Sequence, residues 1–334
     1  MSAADARRAL VLGATGHLGN AITRELLAHG YRVTAATRQA HPAALAGLGV
    51  DVVHGDADRP GCLDAWLPGH DFVVDAAAPY PLNLFAAAGP SGQAPLDHAR
   101  RRMSTLLNSV ARAGAALGHV SSYTTLPRPD TEGTIAAIEA QARRRVHPYF
   151  AVKATMEAMV LEAVRGGLRA AVVNPTACLG PWDRRPRELC VVPMLVTGQV
   201  PALVTQTMNV IDVRDVATAL RAALEQQRFG IPIALAGHDC RTDALATRVC
   251  ALARASAPRL RVPARLAVAG VLCAEAGWAL IGRPSPLPAI GPLLVLDGYA
   301  MAPSAEQRAL GVLPRPLDET LLDAIAWYRS LGYC

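Results

Sequence analysis

Residues 11–19 read Val-Leu-Gly-Ala-Thr-Gly-His-Leu-Gly. The apolar run at 9–13 predicts a short buried strand. The pattern from about Leu18 to His29, closed by Gly30, predicts a helix. Gly13, Gly16 and Gly19 span the junction, the context a dinucleotide site requires. Gly13 permits a tight turn, Gly16 lets the backbone approach a pyrophosphate, and Gly19 lets the helix pack close to the strand. Free N–H groups and the helix dipole then face the phosphates. Thr15, His17 and Leu18 join the glycines as candidate cofactor contacts. A plain glycine-rich turn is the competing reading; the flanking strand and helix favour the nucleotide.

Strand patterns follow at 31–37, 50–54, 72–77, 118–121 and 170–173, with helical patterns near 43–48, 62–66, 99–114 and 149–165. Such alternation predicts an α/β chain with right-handed crossovers. The expected fold is a doubly wound Rossmann parallel sheet with a smaller, irregular C-terminal substrate lobe. After Pro175 proline and glycine become frequent and the alternation is lost. The expected division is a dinucleotide-binding unit at 1–174 and a mainly substrate-binding lobe at 175–334, interleaved in space.

The 334 residues suffice for one large domain or two joined ones, and 51% hydrophobic against 18% charged residues excludes a disordered chain. The net charge of +6 is spread along the sequence. A tight basic run such as Arg143-Arg144-Arg145 is too short for a nucleic-acid groove. Seven cysteines without a C-x-x-C pair predict free thiols in a reducing compartment and no metal site. No secretory signal is evident, so the expected location is cytoplasmic. The apolar stretch 262–281 is broken by Arg265 and Glu275 and falls short of a spanning helix. It is expected to pack in the substrate lobe, with peripheral contact to a membrane surface as the alternative.

The end of the second strand, Ala36-Thr37-Arg38, carries no acid. An acid there binds the ribose hydroxyl of NAD, whereas an arginine suits the 2′-phosphate of NADP. Arg38 therefore favours NADP over NAD. Asp56 can accept the adenine amino group, with a helix N-cap as its competing role. Ala76, Ala77 and Ala78 are small where a backbone must lie close to the cofactor.

Tyr149 and Lys153 lie four residues apart, on one helix face. An ammonium beside a phenol favours the phenolate and makes tyrosine a usable acid or base. A serine pair, Ser121-Ser122, precedes them by 27 residues. His147 is read as a surface loop residue rather than a second base.

These motifs resemble the extended short-chain dehydrogenase/reductase, or NAD-dependent epimerase/dehydratase, family. The resemblance rests on Gly13/Gly16/Gly19, Gly55-Asp56, Val120-Ser121-Ser122, Tyr149/Lys153, Asn174-Pro175, Gly180-Pro181 and residues 210–216. The tail at 309–317 and Ala326-Trp327-Tyr328 look similar too. Within the family the chain is most similar to the dihydroflavonol-reductase-like and 3β-hydroxysteroid-dehydrogenase-like branch. The resemblance implies that Tyr149 is the catalytic acid/base. Lys153 would hold the nicotinamide ribose, and Ser122 the substrate oxygen, with Ser121 and Thr124 as alternatives. Pro175 would line the nicotinamide pocket, and a homodimer is implied. Three positions depart from the family pattern. His17 stands where another residue is frequent, Leu126 where sugar-nucleotide epimerases carry tyrosine, and Asn174-Pro175 where many have Arg-Pro.

The expected function is an NAD(P)H-dependent oxidoreductase acting on a carbonyl or alcohol of a hydrophobic small molecule. The alternatives are a nucleotide-sugar epimerase or dehydratase with tightly bound NAD, and a non-catalytic NADP-binding redox sensor. Residues 79–85, the segment 126–148, Trp182, Met194, Trp278 and Met301 are expected around the substrate. Asp212 and Asp215 are read as caps and interlobe anchors.

Overall fold

The structure, a computed structural model, describes residues 6–77, 94–127, 147–286 and 288–334. The predicted β-α alternation forms a seven-stranded parallel sheet. Its strands are β1 (Arg8–Leu12), β2 (Arg32–Thr37), β3 (Asp51–His54), β4 (Phe72–Asp75), β5 (Ala116–Val120), β6 (Ala170–Pro175) and β10 (Pro232–Leu235), in the order β10-β6-β5-β4-β1-β2-β3. Side chains of β1 alternate between its faces. Ala9 and Val11 pack with Ile22 and Leu26 of α1 (His17–Ala28) and Leu220 and Leu224 of α6 (Val213–Glu225). Leu10 and Leu12 pack on the other face with Met103 and Leu106 of α3 (Ala94–Ala113) and Met156 and Val160 of α4 (Pro148–Arg165). Burial on both faces explains why these strands read as continuous apolar runs. Short α2 (Cys62–Trp66) lies between β3 and β4.

The sequence pattern misplaces three features. Residues 43–45 form only a short 3₁₀ turn where a helix to 48 is expected. Helix α3 begins at Ala94, earlier than the pattern at 99–114 indicates. The alternation also does not end at Pro175. Helix α6 and β10 return to the main sheet, with Ile233 of β10 beside Val173 of β6. The intervening small strands hide this return in the sequence.

The remaining chain builds β7 (Ala177–Leu179), β9 (Thr207–Asp212) and β11 (His238–Arg241) into one small sheet. Strands β8 (Leu203–Thr205) and β12 (Arg261–Pro263) form a parallel pair. Helices α5 (Val191–Val196), α7 (Thr242–Ala253) and α11 (Leu317–Ser330) share an apolar core around Leu195, Val249 and Leu321. Helices α8 (Ala264–Leu280) and α9 (Ile290–Leu296) cover the first turn of α4, and α10 (Ala305–Ala309) follows. The two carboxylates at the start of α6 do act as anchors. Asp212 caps Arg214 N–H at 2.7 Å and accepts from Thr320 of α11 at 2.7 Å; Asp215 accepts from Arg315 N–H at 2.8 Å.

Because the main sheet is parallel, the C-terminal ends of its strands share one edge. Between β1 and β4 the strand order reverses, the position where ligands of such sheets bind. Here β1 turns into α1 through Gly13, whose φ is +81°. A Cβ on Gly19 would lie 2.0 Å from the Gly13 carbonyl oxygen, so helix and turn touch through backbone alone. Gly19→Ala is expected to cost about 2 kcal/mol or more in urea unfolding, as overpacking does. Gly270→Ala, on an open stretch of α8 with nothing within 4 Å of its Cβ, should be neutral or stabilising. Equal effects would contradict the close-contact reading.

Candidate active site

The glycine turn fits a pyrophosphate. Gly16 precedes α1 as its N-cap without a side-chain cap, and the first turn holds no acid. The amides opening α1 are therefore available to an anion, and the dipole favours one. Thr15, His17 and Leu18 are partly exposed there. A Cβ at Gly13 would meet the Ala76 carbonyl oxygen at 2.8 Å, which brings the end of β4 against the turn. Ala76 and Ala77 are half-buried; Ala78 and residues 79–85 lie outside the described residues.

His17 points away from the turn. Its Nε2 lies 3.0 Å from the Pro181 carbonyl oxygen and its Nδ1 4.0 Å from Asp183, and burial pushes its pKa down. Beside it, Arg24 stacks on the Trp182 ring at 4.8 Å. Trp182 thus belongs to the roof over α1. Trp278, Met194 and Met301 are each half-buried in the smaller lobe.

Arg38 is exposed at the end of β2 and has no ion-pair partner among the described residues. Asp56 is half-buried after β3. It is not a helix cap: Gly61 is the N-cap of α2, while the Asp56 carboxylate accepts from Asp58 N–H at 3.1 Å.

Deeper in the cleft the structure brings Ser122, Tyr149 and Lys153 together. Ser122 follows β5; Tyr149 and Lys153 project from the first turns of α4. The Tyr149 hydroxyl donates to Ser122 Oγ at 3.3 Å, and Thr124 Oγ1 donates to the same atom at 3.0 Å. All four side chains are buried. Lys153 Nζ donates to the Val120 carbonyl at 3.1 Å, and burial pulls its pKa down to about 8.

Ser121 turns the other way, to a carboxylate absent from the motif reading. Glu157, one turn beyond Lys153, accepts from Ser121, from Thr125 at 2.6 Å and from Asn174 at 2.6 Å. Burial raises its pKa against these hydrogen bonds. Asn174 also donates to the Ser122 carbonyl at 3.2 Å. A glutamate four residues after the lysine, on the same buried helix face, was the available signal. His147 is buried rather than on a surface loop: its Nδ1 accepts from Tyr149 N–H at 3.2 Å and caps α4. Below β4 and β5, Asp75 accepts from Arg102 at 3.1 Å and lies 3.1 Å from His119 Nδ1.

The sequence from Ala9 to Ala234 matches the model of the NAD dependent epimerase/dehydratase family, which spans the glycine turn, the serine pair and Tyr149/Lys153. The chain belongs to this family. Members bind a nicotinamide dinucleotide, and the chain is an NAD(P)-dependent oxidoreductase of the epimerase/dehydratase family. It is 30% identical to Sterol demethylase protein B of Methylococcus capsulatus, over 97% of this chain and 98% of that one. It is 25% identical to a putative dihydroflavonol 4-reductase of Synechocystis sp., over 97% and 95%. Among solved structures, gox2253 superposes with a TM-score of 0.75 at 25% identity, covering 98% and 99% of the two chains. Epimerase Mth375 of Methanothermobacter thermautotrophicus superposes with a TM-score of 0.76 at 16% identity over 98% and 94%, a likeness of fold.

The buried Lys153 couples folding to pH. Its folded pKa of about 8 lies below the ordinary 10.5, so between those values the unfolded chain binds a proton that the folded chain does not. Stability should therefore rise with pH across that window, while below it the buried ammonium carries a constant cost. Lys153→Met is expected to raise the urea midpoint at pH 7 and to abolish that rise. A lowered midpoint with the rise intact would contradict it.

Proposed function

We propose that the chain is an NADP(H)-dependent reductase or dehydrogenase acting on a ketone or secondary alcohol of a hydrophobic small molecule. The observation that carries this reading is the hydrogen-bond arrangement at Ser122 Oγ. A serine hydroxyl has two lone pairs and one proton. The hydroxyls of Tyr149 and Thr124 and the Thr124 N–H, the last at 3.3 Å, all converge on these lone pairs. The Ser122 proton is left to donate to an incoming oxygen.

The cofactor, when bound, supplies or accepts a hydride at the substrate carbon. The chain's own residues manage the oxygen. In reduction, Ser122 donates a hydrogen bond to the carbonyl oxygen and Tyr149 re-aims its proton from Ser122 Oγ to the developing alkoxide. In oxidation Tyr149 takes the alcohol proton. Lys153, charged below about pH 8, favours the phenolate and is in place for the nicotinamide ribose. Pro175 closes β6 at the same strand edge and is assigned to the nicotinamide pocket. Thr15, Leu18 and the glycines are assigned to the pyrophosphate, Ala76 and Ala77 to close backbone approach, and Asp56 to the adenine. His17 contributes through its backbone, its ring being held by Pro181.

Two observations support NADP over NAD. The end of β2 has no acid, and Arg38 stands exposed there without a carboxylate partner among the described residues. A hydrophobic substrate is supported by the apolar residues of α8 and α9 packed against Tyr149 and Phe150. Two relatives, Sterol demethylase protein B and a putative dihydroflavonol 4-reductase, are named for a sterol and a dihydroflavonol, which supports the same reading.

The test is a ketone panel with NADPH. Tyr149→Phe should lower kcat by about a hundredfold or more, the usual loss for one preorganised donor at a developing oxyanion. NADPH should raise the Tm of the wild type more than NADH, and Arg38→Ala should remove that preference. Undiminished turnover by Tyr149→Phe would overturn the proton role. Turnover of a nucleotide sugar with no added cofactor would favour an epimerase instead.

A further inference from the structure

Beyond Arg265 in its first turn and Glu275, helix α8 consists of apolar residues and glycine. Its inner stripe, Val268, Val271 and Leu272, packs against Tyr149, Phe150 and Ala154 of α4. Glu275, its one acid, is turned inward and accepts from Ala289 N–H at 2.6 Å. The outer side carries Leu266, Gly270, Cys273, Gly277 and Leu280, spaced at three- and four-residue steps that keep them on one face. Leu266 is 65% exposed and Leu280 90%, and Ile281, just past the helix end, is 63% exposed. Leu260, just before β12, is 60% exposed. A helix this apolar is ordinarily covered all round.

The charges around this face identify its cover. Arg259 precedes α8, Arg265 lies in its first turn and Arg283 follows its end; all three are exposed, and none pairs with a carboxylate among the described residues. Arg261, between the first two, is held by Asp243 at 3.3 Å. Apolar side chains with unpaired arginines at both ends of the helix match a bilayer interface, with acyl chains under the leucines and phosphates beside the guanidinium groups. No described helix is long and apolar enough to cross a membrane, so α8 would lie in the surface plane. A second copy suits the face less well. A two-fold contact through it would set arginine against arginine, with no acid on the face to offset them.

We propose that the outer face of α8 is a peripheral docking surface for an anionic lipid bilayer. This inference does not depend on the assigned chemistry. It places the helix that carries Tyr149 directly beneath the docked helix, so a lipophilic molecule leaving the bilayer would meet the site within one helix diameter.

Flotation of the full chain with vesicles tests it. Vesicles of one part phosphatidylglycerol to three parts phosphatidylcholine should carry the protein, and pure phosphatidylcholine vesicles should carry it at least tenfold less well. Leu266→Glu with Leu280→Glu should abolish flotation without lowering Tm. Arg265→Ala with Arg283→Ala should weaken it more than tenfold, at about fivefold per arginine near an anionic surface. Absence of vesicle binding at low salt would overturn the proposal. So would undiminished binding by the glutamate variant. A dimer that sediments as a monomer only after Leu266→Glu and Leu280→Glu would instead assign the face to a second copy.

Discussion

The carboxylate of Glu157 sits where β5, the serine loop, α4 and β6 converge, and the geometry of the site depends on it. Ser121, Thr125 and Asn174 all donate to one of its oxygens, drawing the ends of two adjacent strands onto the helix that carries Tyr149 and Lys153. A buried carboxylate needs hydrogen-bond donors, and here hydroxyl and amide groups converge on its Oε2. With Ser121 committed inward, the next side chain in the extended chain points outward, and that residue is Ser122. The site's hydroxyl is selected by the one that Glu157 removes.

The same logic explains which parts of the molecule can be read from the chain. The glycine turn is legible because each glycine answers a local demand: a positive φ at Gly13 and a backbone contact at Gly19. Tyr149 and Lys153 are legible because helical spacing alone places them on one face. The choice among Ser121, Ser122 and Thr124 is not legible locally. It is set by Glu157 and Asn174, 36 and 17 residues away from their hydrogen-bonded partners Ser121 and Glu157. The return of α6 and β10 to the main sheet is hidden for a similar reason. Short strands serving a second sheet interrupt the alternation, and only pairing across the sheet shows which strand belongs where.

The smaller lobe is least legible because its residues serve two surfaces at once. Helix α8 presents apolar side chains inward to Tyr149 and Phe150 and outward to its surroundings, so no polar face marks its orientation. Its sequence resembles a core helix on both sides. The two-faced pattern also explains why nearby tryptophans and methionines do not separate into core and pocket by composition. What positions them is the packing of α8 and α9 over the first turn of α4.

The central claim is that Tyr149 and Ser122 act on one oxygen as a unit, across the 3.3 Å between their hydroxyls. A double-mutant cycle on kcat/KM for NADPH-dependent ketone reduction, with Tyr149→Phe, Ser122→Ala and the pair, tests it most directly. Groups that act together lose their shared effect at the first removal. The account predicts that the double variant is scarcely slower than the slower single variant. Losses that multiply independently would contradict it.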